Sequence, residues 1–334
     1  MLHKLAFDTE RLEETIIKRL AETIDKQGLI AATVNAFPFF DFHDDVVKHA
    51  VYTPGWGENA RHQQSYNAAF LMAYHLAPDD LPISISTVPI GWPSKRAGCD
   101  VLETASKELR GTGEWLRYSF GDGNVTIDLE PEPGCILDTA DDVIAFFEEH
   151  LPDKIHRKHI GVCHDVCHAA VMFEDQREVL RRYAEAGIRV NKVQISSALD
   201  VDVRTIGVET AIEHLRPFAE PRYLHQTSFM TGDQFELIED LPEAIGRLEA
   251  GETPDRLRVH FHVPVYLDSI GPLGTTNDQI AEAIAAAREY HDTKHFEVET
   301  YAWGVLPDEL KRDTLAKGIA DELKWVLDTC GHIS

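Results

Sequence analysis

Short runs rich in β-branched and aromatic residues alternate with amphipathic runs along nearly the whole chain, the pattern of a parallel sheet with crossover helices. Eight runs read as strands: Leu29 to Asn35, Pro82 to Val88, Val125 to Glu130, His159 to Asp165, Val190 to Ser196, Arg222 to Thr227, Leu257 to Val263 and His295 to Thr300. Between them the helical periodicity covers about Asn59 to Leu76, Asp100 to Tyr118, Thr139 to His150, Asp175 to Ala186, Ile206 to Phe218, Leu241 to Ala250 and Thr276 to His291, with a last helix from Pro307 to Leu327. Asp138-Thr139 supplies a helix cap and Ala186-Gly187 a helix stop. No repeat or Pro/Gly/Ser linker divides the pattern, so residues 1–334 read as a single domain.

Alternate side chains of a strand point to opposite faces, so parity reports what each face meets. In Leu257 to Val263 one face is Leu257, Val259, Phe261 and Val263, while the other carries Arg258, His260 and His262. The same split sets Val193 and Ile195 against Lys192, Gln194 and Ser196, and Phe296 and Val298 against Glu297 and Glu299. An open doubly wound sheet is apolar on both faces, whereas a closed barrel turns one face into a shared interior. Parity therefore favours an α/β fold of the (β/α)8 TIM-barrel type.

Chemistry in such a barrel collects at the carboxyl ends of the strands. The late strand residues here are Asn35, Glu130, Asp165, Gln194, His225, His260, His262 and Glu299, a set of metal-ligand types. Asp165 and His168 are three apart where one strand runs out into a loop. Carboxylates converging without a cation repel one another, a cost that a divalent ion removes. The mixed nitrogen and oxygen donors suit Zn, Mn, Fe or Co without choosing among them. Each residue also has a plainer reading: His225 as a hydrogen-bonded core group, Lys192 as half of a buried ion pair rather than a holder of substrate oxygen. Of the two glutamates in Glu130-Pro131-Glu132, Glu130 is the expected ligand and Glu132 a rim residue.

Composition narrows the class. The 334 residues are 43% hydrophobic, with no apolar run near twenty residues and no signal-like pattern in Met1 to Glu10, so a cytoplasmic protein without direct membrane insertion is expected. A formal charge of −25 repels polyanions and argues against nucleic acid as a partner. The five cysteines, Cys99, Cys135, Cys163, Cys167 and Cys330, are odd in number and do not form a Cys-x-x-Cys knuckle, so they read as packing residues. Gly271 to Thr276 reads as a phosphate cradle or an ordinary βα loop, and the aromatics of Tyr52 to Gly57 and Ile90 to Pro93 as a pocket wall or as packing. Walker, Rossmann and nucleophile-elbow motifs are absent.

Gly161 to His168 followed by Phe173-Glu174-Asp175, with Leu129-Glu130 before and Val298-Glu299-Thr300 after, resembles the xylose-isomerase-like TIM-barrel superfamily. Four stretches, Ser84 to Pro89, Lys192 to Leu199, Glu220 to Thr227 and Val259 to Val265, further resemble the EboE-type metabolite-traffic proteins. The resemblance implies a divalent metal (Mn, Zn, Co, Fe or Mg) on Glu130, Asp165, Gln194 and Glu299, with His168, His260 and His262 as further ligand or substrate-binding residues. Catalysis would fall to Glu130 and Glu299, with His168 and Lys192 beside them, and substrate contacts to His225, Ser196 and Asn35. The chain begins almost at the helix Leu12 to Lys26, where such proteins carry an additional segment, so the amino-terminal part of the barrel is incomplete or altered unless Arg222 to Thr227 completes the count. The implied activity is a metal-dependent sugar, polyol or sugar phosphate isomerase or epimerase. The alternative is a non-catalytic carrier of a secondary-metabolite precursor, and phosphodiester hydrolysis is disfavoured by the charge. A small-molecule metabolite is the expected partner, and a homo-oligomer is left open.

Overall fold

A computed structural model describes residues 14–40, 42, 44–93 and 100–331. Cys99 and the stretch Met1 to Glu10 lie outside the described residues. The chain divides into two compact units, the first made of Met1–Pro131, Cys135–Cys163 and Tyr183–Lys192, the second of Glu132–Gly134, His164–Arg182 and Val193–Ser334.

The first unit is built on β1 (Thr33–Asn35), β2 (Ile83–Thr87), β3 (Val125–Leu129) and the opening residues of β4 (Ile160–Asp165) and β5 (Val190–Ile195). β1 to β4 pair in parallel, with Ile85 opposite Ile127 and Leu129 opposite Val162. Both faces of β2, β3 and β4 are buried, so the polar face that parity marks is an interior one. There the Asp128 carboxylate accepts from Ser84 at 2.5 Å, Asn191 at 2.6 Å and Thr126 at 2.8 Å. The fully buried Lys192 ammonium donates to Ser86 at 2.9 Å and Thr33 at 3.4 Å. Only glycine fits at 161: a Cβ there would stand 2.4 Å from Asn191 Nδ2 and 2.8 Å from the Arg189 carbonyl. The helices Asn59–Leu71, Asp100–Phe120 and Ala140–His150 follow the expected runs, the last with Thr139 as its cap. Trp56 and Tyr52 are buried, which makes these loop aromatics packing residues.

In the second unit β4 and β5 run to their ends at Asp165 and Ile195. An antiparallel sheet follows: β6 (Leu199–Asp202), β7 (Thr227–Thr231), β8 (Gln234–Ile238), β9 (Arg256–Val259), β10 (Ser269–Ile270) and β11 (Leu273–Thr275), in the order β10-β11-β6-β9-β7-β8. β12 (His295–Val298) belongs to the other sheet, whose order is β1-β2-β3-β4-β5-β12.

Two expected strands change character here. Residues 222–226 form no strand, and Thr227 instead opens β7. β9 stops at Val259 and pairs antiparallel with both β6 and β7, while residues 260–263 continue outside any ladder. A period of two marks a strand but says nothing of the direction of its neighbour. The sequence signal for the missed hairpin is Gly232-Asp233 between two runs, a two-residue turn with Gly232 at φ +57°. Gly271, read as part of a phosphate cradle or a βα loop, turns the β10–β11 hairpin at φ +60°. The apolar faces of β6, β7 and β9 meet the helices Val208–Leu215 and Leu241–Glu249 in one core that includes Phe229, Leu257, Val259 and Phe261.

The last helix begins at Leu315, capped by Thr314, and not at Pro307, where the chain makes only a short 3-10 turn. Among the described residues no helix is long and apolar enough to cross a membrane.

Candidate metal centre

β4 delivers Asp165 to the cap position of the helix Val166–Val171. Its Oδ1 accepts the His168 backbone N–H at 2.9 Å and the Ser196 hydroxyl at 2.7 Å, and Ser196 Oγ in turn accepts the Cys167 N–H at 2.9 Å. Oδ2 is left buried without a hydrogen-bond partner. The same helix carries His168 one turn on, with its Nε2 4.0 Å from Asp165 Oδ1.

His260 and His262 lie just beyond β9. His262 Nδ1 is 2.7 Å from the backbone carbonyl of Glu299, which can only accept, so the ring proton sits on Nδ1 and Nε2 carries a lone pair. That Nε2 is buried, has no hydrogen-bond partner, and stands 4.0 Å from Asp165 Oδ2. Two acceptors thus face one another with no donor between them. Protonating His262 would relieve this, but burial above all pushes its pKa down to about 4. Burial also opposes the Asp165 charge, yet His168 and the hydrogen bonds from the His168 N–H and Ser196 hold its pKa below the ordinary carboxylate value. A lone pair and a carboxylate in this relation are what a divalent cation requires.

The neighbouring imidazoles extend the set. His168 Nε2 and His260 Nε2 are 3.1 Å apart. His260 Nδ1 meets Gln226 Oε1 at 2.7 Å, and the Gln226 amide nitrogen donates to Glu132 Oε1 at 3.1 Å and to the Pro133 carbonyl at 2.9 Å. Tyr301 lies against His262 with ring centroids 4.6 Å apart. Three trios in this unit bring ligand atoms within 4.8 Å of one another: Asp165, His168 and His262; Glu132, His168 and His260; and Cys167, His260 and His262. The residues present fit a metal ion.

The other residues read from the sequence fall as follows. Gln194 is fully buried at the end of β5, and neither atom of its amide has a hydrogen-bond partner. Glu299 is half-buried just after β12 and holds His262 through its backbone. Ser196 holds Asp165. His225 has its Nδ1 against the His260 carbonyl and its Nε2 against Glu220, both at 2.9 Å and both acceptors, so the ring donates to the two together only when it carries both protons. Glu130 is buried in the first unit with its N–H on the Thr87 carbonyl, Lys192 is held there by Ser86, and Asn35 accepts from the Phe37 N–H at 2.9 Å. Glu132 is not a rim residue: it is buried, with Oε1 3.8 Å from His260 Nδ1. Gln226 was missed, although it adjoins His225 in the stretch Glu220 to Thr227.

No protein-family model and no curated protein matches the sequence. Among solved structures the chain is similar to a xylose isomerase-like TIM-barrel protein from Mycobacterium smegmatis in complex with magnesium, at 11% identity over 96% of this chain and 80% of that one, with a TM-score of 0.52. A 3-keto-D-glucoside 4-epimerase from E. coli is 15% identical over 63% of this chain and 75% of that one, with a TM-score of 0.39. A D-psicose 3-epimerase is 13% identical over 83% of each chain, with a TM-score of 0.36. The first of these likenesses establishes the fold: this chain has the xylose isomerase-like TIM-barrel fold.

Proposed function

We propose that the protein is a divalent-metal-dependent isomerase or epimerase acting on a sugar, polyol or sugar phosphate. The observation that supports the metal in this reading is the buried pair Asp165 Oδ2 and His262 Nε2, two acceptors 4.0 Å apart with no donor. Asp165, His168 and His262 would hold the ion, with Gln194 supplying a further oxygen. When bound, the ion supplies Lewis-acid polarisation of a carbonyl and its adjacent hydroxyl.

The chain's own residues do the rest. Glu299, half-buried beside the backbone carbonyl that fixes His262, takes the proton from the carbon next to the substrate carbonyl. Ser196 and the His168 N–H keep Asp165 Oδ1 occupied, so that only Oδ2 is presented. Tyr301 covers the His262 ring and excludes water. Glu130, Lys192 and Asn35 belong to the first unit.

A second reading rests on the four EboE-like stretches: a carrier that binds a secondary-metabolite precursor and releases it unchanged. One experiment separates the two. Protein purified without added metal or affinity tag is assayed for metal content and then incubated with ketose and aldose panels in deuterium oxide. Bound metal with deuterium uptake at a substrate carbon, lost in Glu299→Gln, supports the enzyme. Bound metal with stoichiometric ligand retention and no exchange supports the carrier, and absence of metal binding in wild type and in an Asp165→Asn variant alike would sink the enzymatic mechanism.

A further inference from the structure

Glu322 lies on the last helix, Leu315–Cys330, with its side chain fully buried. A carboxylate is costly to bury unless donors meet it, and here three do. Its Oε1 accepts the Val265 N–H at 3.1 Å and the Thr300 hydroxyl, and its Oε2 accepts the Trp303 indole N–H at 3.1 Å. Burial raises the Glu322 pKa, and the hydrogen bonds from Thr300, Val265 and Trp303 oppose that rise.

The donors come from two separate segments. Val265 is three residues past His262, in the stretch that leaves β9 and runs outside any ladder. Thr300 adjoins Glu299, and Trp303 belongs to the short turn Tyr301–Gly304, whose Tyr301 lies against the His262 ring. Where the two segments meet, His262 Nδ1 donates to the Glu299 carbonyl at 2.7 Å. The bond that fixes the His262 tautomer therefore spans two segments that are both anchored on one carboxylate.

We infer that Glu322 is a positioning residue: it holds the His262 segment against the Glu299 segment and thereby keeps the His262 proton on Nδ1 and the Nε2 lone pair bare. The inference rests on the proposed function for its consequence in metal binding and goes beyond it by naming a group, outside the centre itself, that sets the geometry there. Glu322→Gln keeps the size of the side chain but turns an amide N–H toward either the Trp303 indole or the Val265 N–H, so one anchor is lost.

The test uses the full chain, labelled with nitrogen-15 in histidine and stripped of metal by chelation. Ring nitrogen shifts distinguish a protonated from a bare nitrogen, and the His262 signals are identified by their loss in His262→Gln. The expected result is a single Nδ1-protonated tautomer in wild type, a mixture of tautomers in Glu322→Gln, and a Co²⁺ affinity lowered about 10-fold in that variant. Val326→Ala is the control, a buried position one turn further along the same helix. It should lower the melting temperature while leaving the His262 signals and the Co²⁺ affinity as in wild type. If Glu322→Gln does not fold, Thr300→Val, which removes one donor and keeps the shape, carries the same comparison. An unchanged His262 tautomer in the variant compared, or an equal change in Val326→Ala, overturns the inference and leaves the metal reading standing. A changed tautomer in a protein whose wild type binds no Co²⁺ upholds the positioning role and overturns the metal reading.

Discussion

Asp165 Oδ2 and His262 Nε2 face each other 4.0 Å apart inside the protein, both acceptors and neither with a hydrogen-bond partner. Without an ion, this arrangement opposes folding. Asp165→Asn places an amide donor opposite the His262 lone pair and keeps the oxygen that Ser196 and the His168 N–H use. The metal-free variant is expected to be more stable than metal-free wild type by about 1 kcal/mol, the worth of one new buried hydrogen bond. It should also lose the stabilisation that added metal gives wild type. Urea denaturation with and without Co²⁺ checks both halves, and a less stable metal-free variant would contradict the tautomer assigned to His262.

Trp303 and the last helix make a second prediction. The indole N–H donates to Glu322 Oε2 at 3.1 Å, and the ring lies where a Cβ on Gly318 would come within 2.5 Å of it. In a free helix, Gly318→Ala would stabilise by about 1 kcal/mol. Here the ring is tethered, and overpacking of this kind costs about 1–3 kcal/mol. The variant should therefore be less stable than wild type, and thermal denaturation decides the sign. Removing the tether in a Trp303→Leu background should restore the benefit of alanine.

Gly161 is the more severe case. Two of the atoms a Cβ would meet belong to the Asn191–Asp128 hydrogen bond, and the third is the Arg189 backbone oxygen, which cannot rotate away. Gly161→Ala is expected to cost about 3 kcal/mol, from overpacking plus a weakened hydrogen bond to a buried carboxylate. Loss of soluble expression, or a melting temperature lowered by many degrees, is the observation expected.

These positions show how far the sequence could be read. Strand parity marked Lys192 and Gln194 as a polar face that the fold buries, because side-chain alternation is a local property; Ser196, His260 and His262 are buried too, but beyond the ends of β5 and β9. It could not show that β9 pairs antiparallel with β6 and β7, since pairing direction is set by chain segments far apart in sequence. Asp165 and His168 were legible as a pair because one helical turn from a cap fixes their relation. Glu132 was read as a rim residue beyond Glu130, whereas it is buried with its Oε1 accepting from the Gln226 amide, a partner 94 residues away that no local pattern shows. Gln226 itself carries no sequence signal for its role. Its importance comes from which of its two amide atoms faces which neighbour.

Glu220 yields a prediction for pH. Its carboxylate accepts from the Arg222 N–H at 2.7 Å, the Tyr223 N–H at 2.9 Å and His225 Nε2 at 2.9 Å. Burial opposes the charge, but the hydrogen bonds from His225, Tyr223 and Arg222 outweigh it and hold the pKa below 4.5. A carboxyl whose pKa is depressed on folding contributes stability that is fully present above its unfolded value and is lost as the pH falls through the folded value. Glu220→Gln cannot satisfy three donors, because its amide nitrogen would meet either the Arg222 or the Tyr223 N–H. At pH 7 the variant should be about 1–2 kcal/mol less stable than wild type. As the pH falls through the lowered folded value wild-type Glu220 is itself protonated, and the two urea midpoints should converge. A gap that persists unchanged at low pH would assign the loss to packing and not to the charge held against His225.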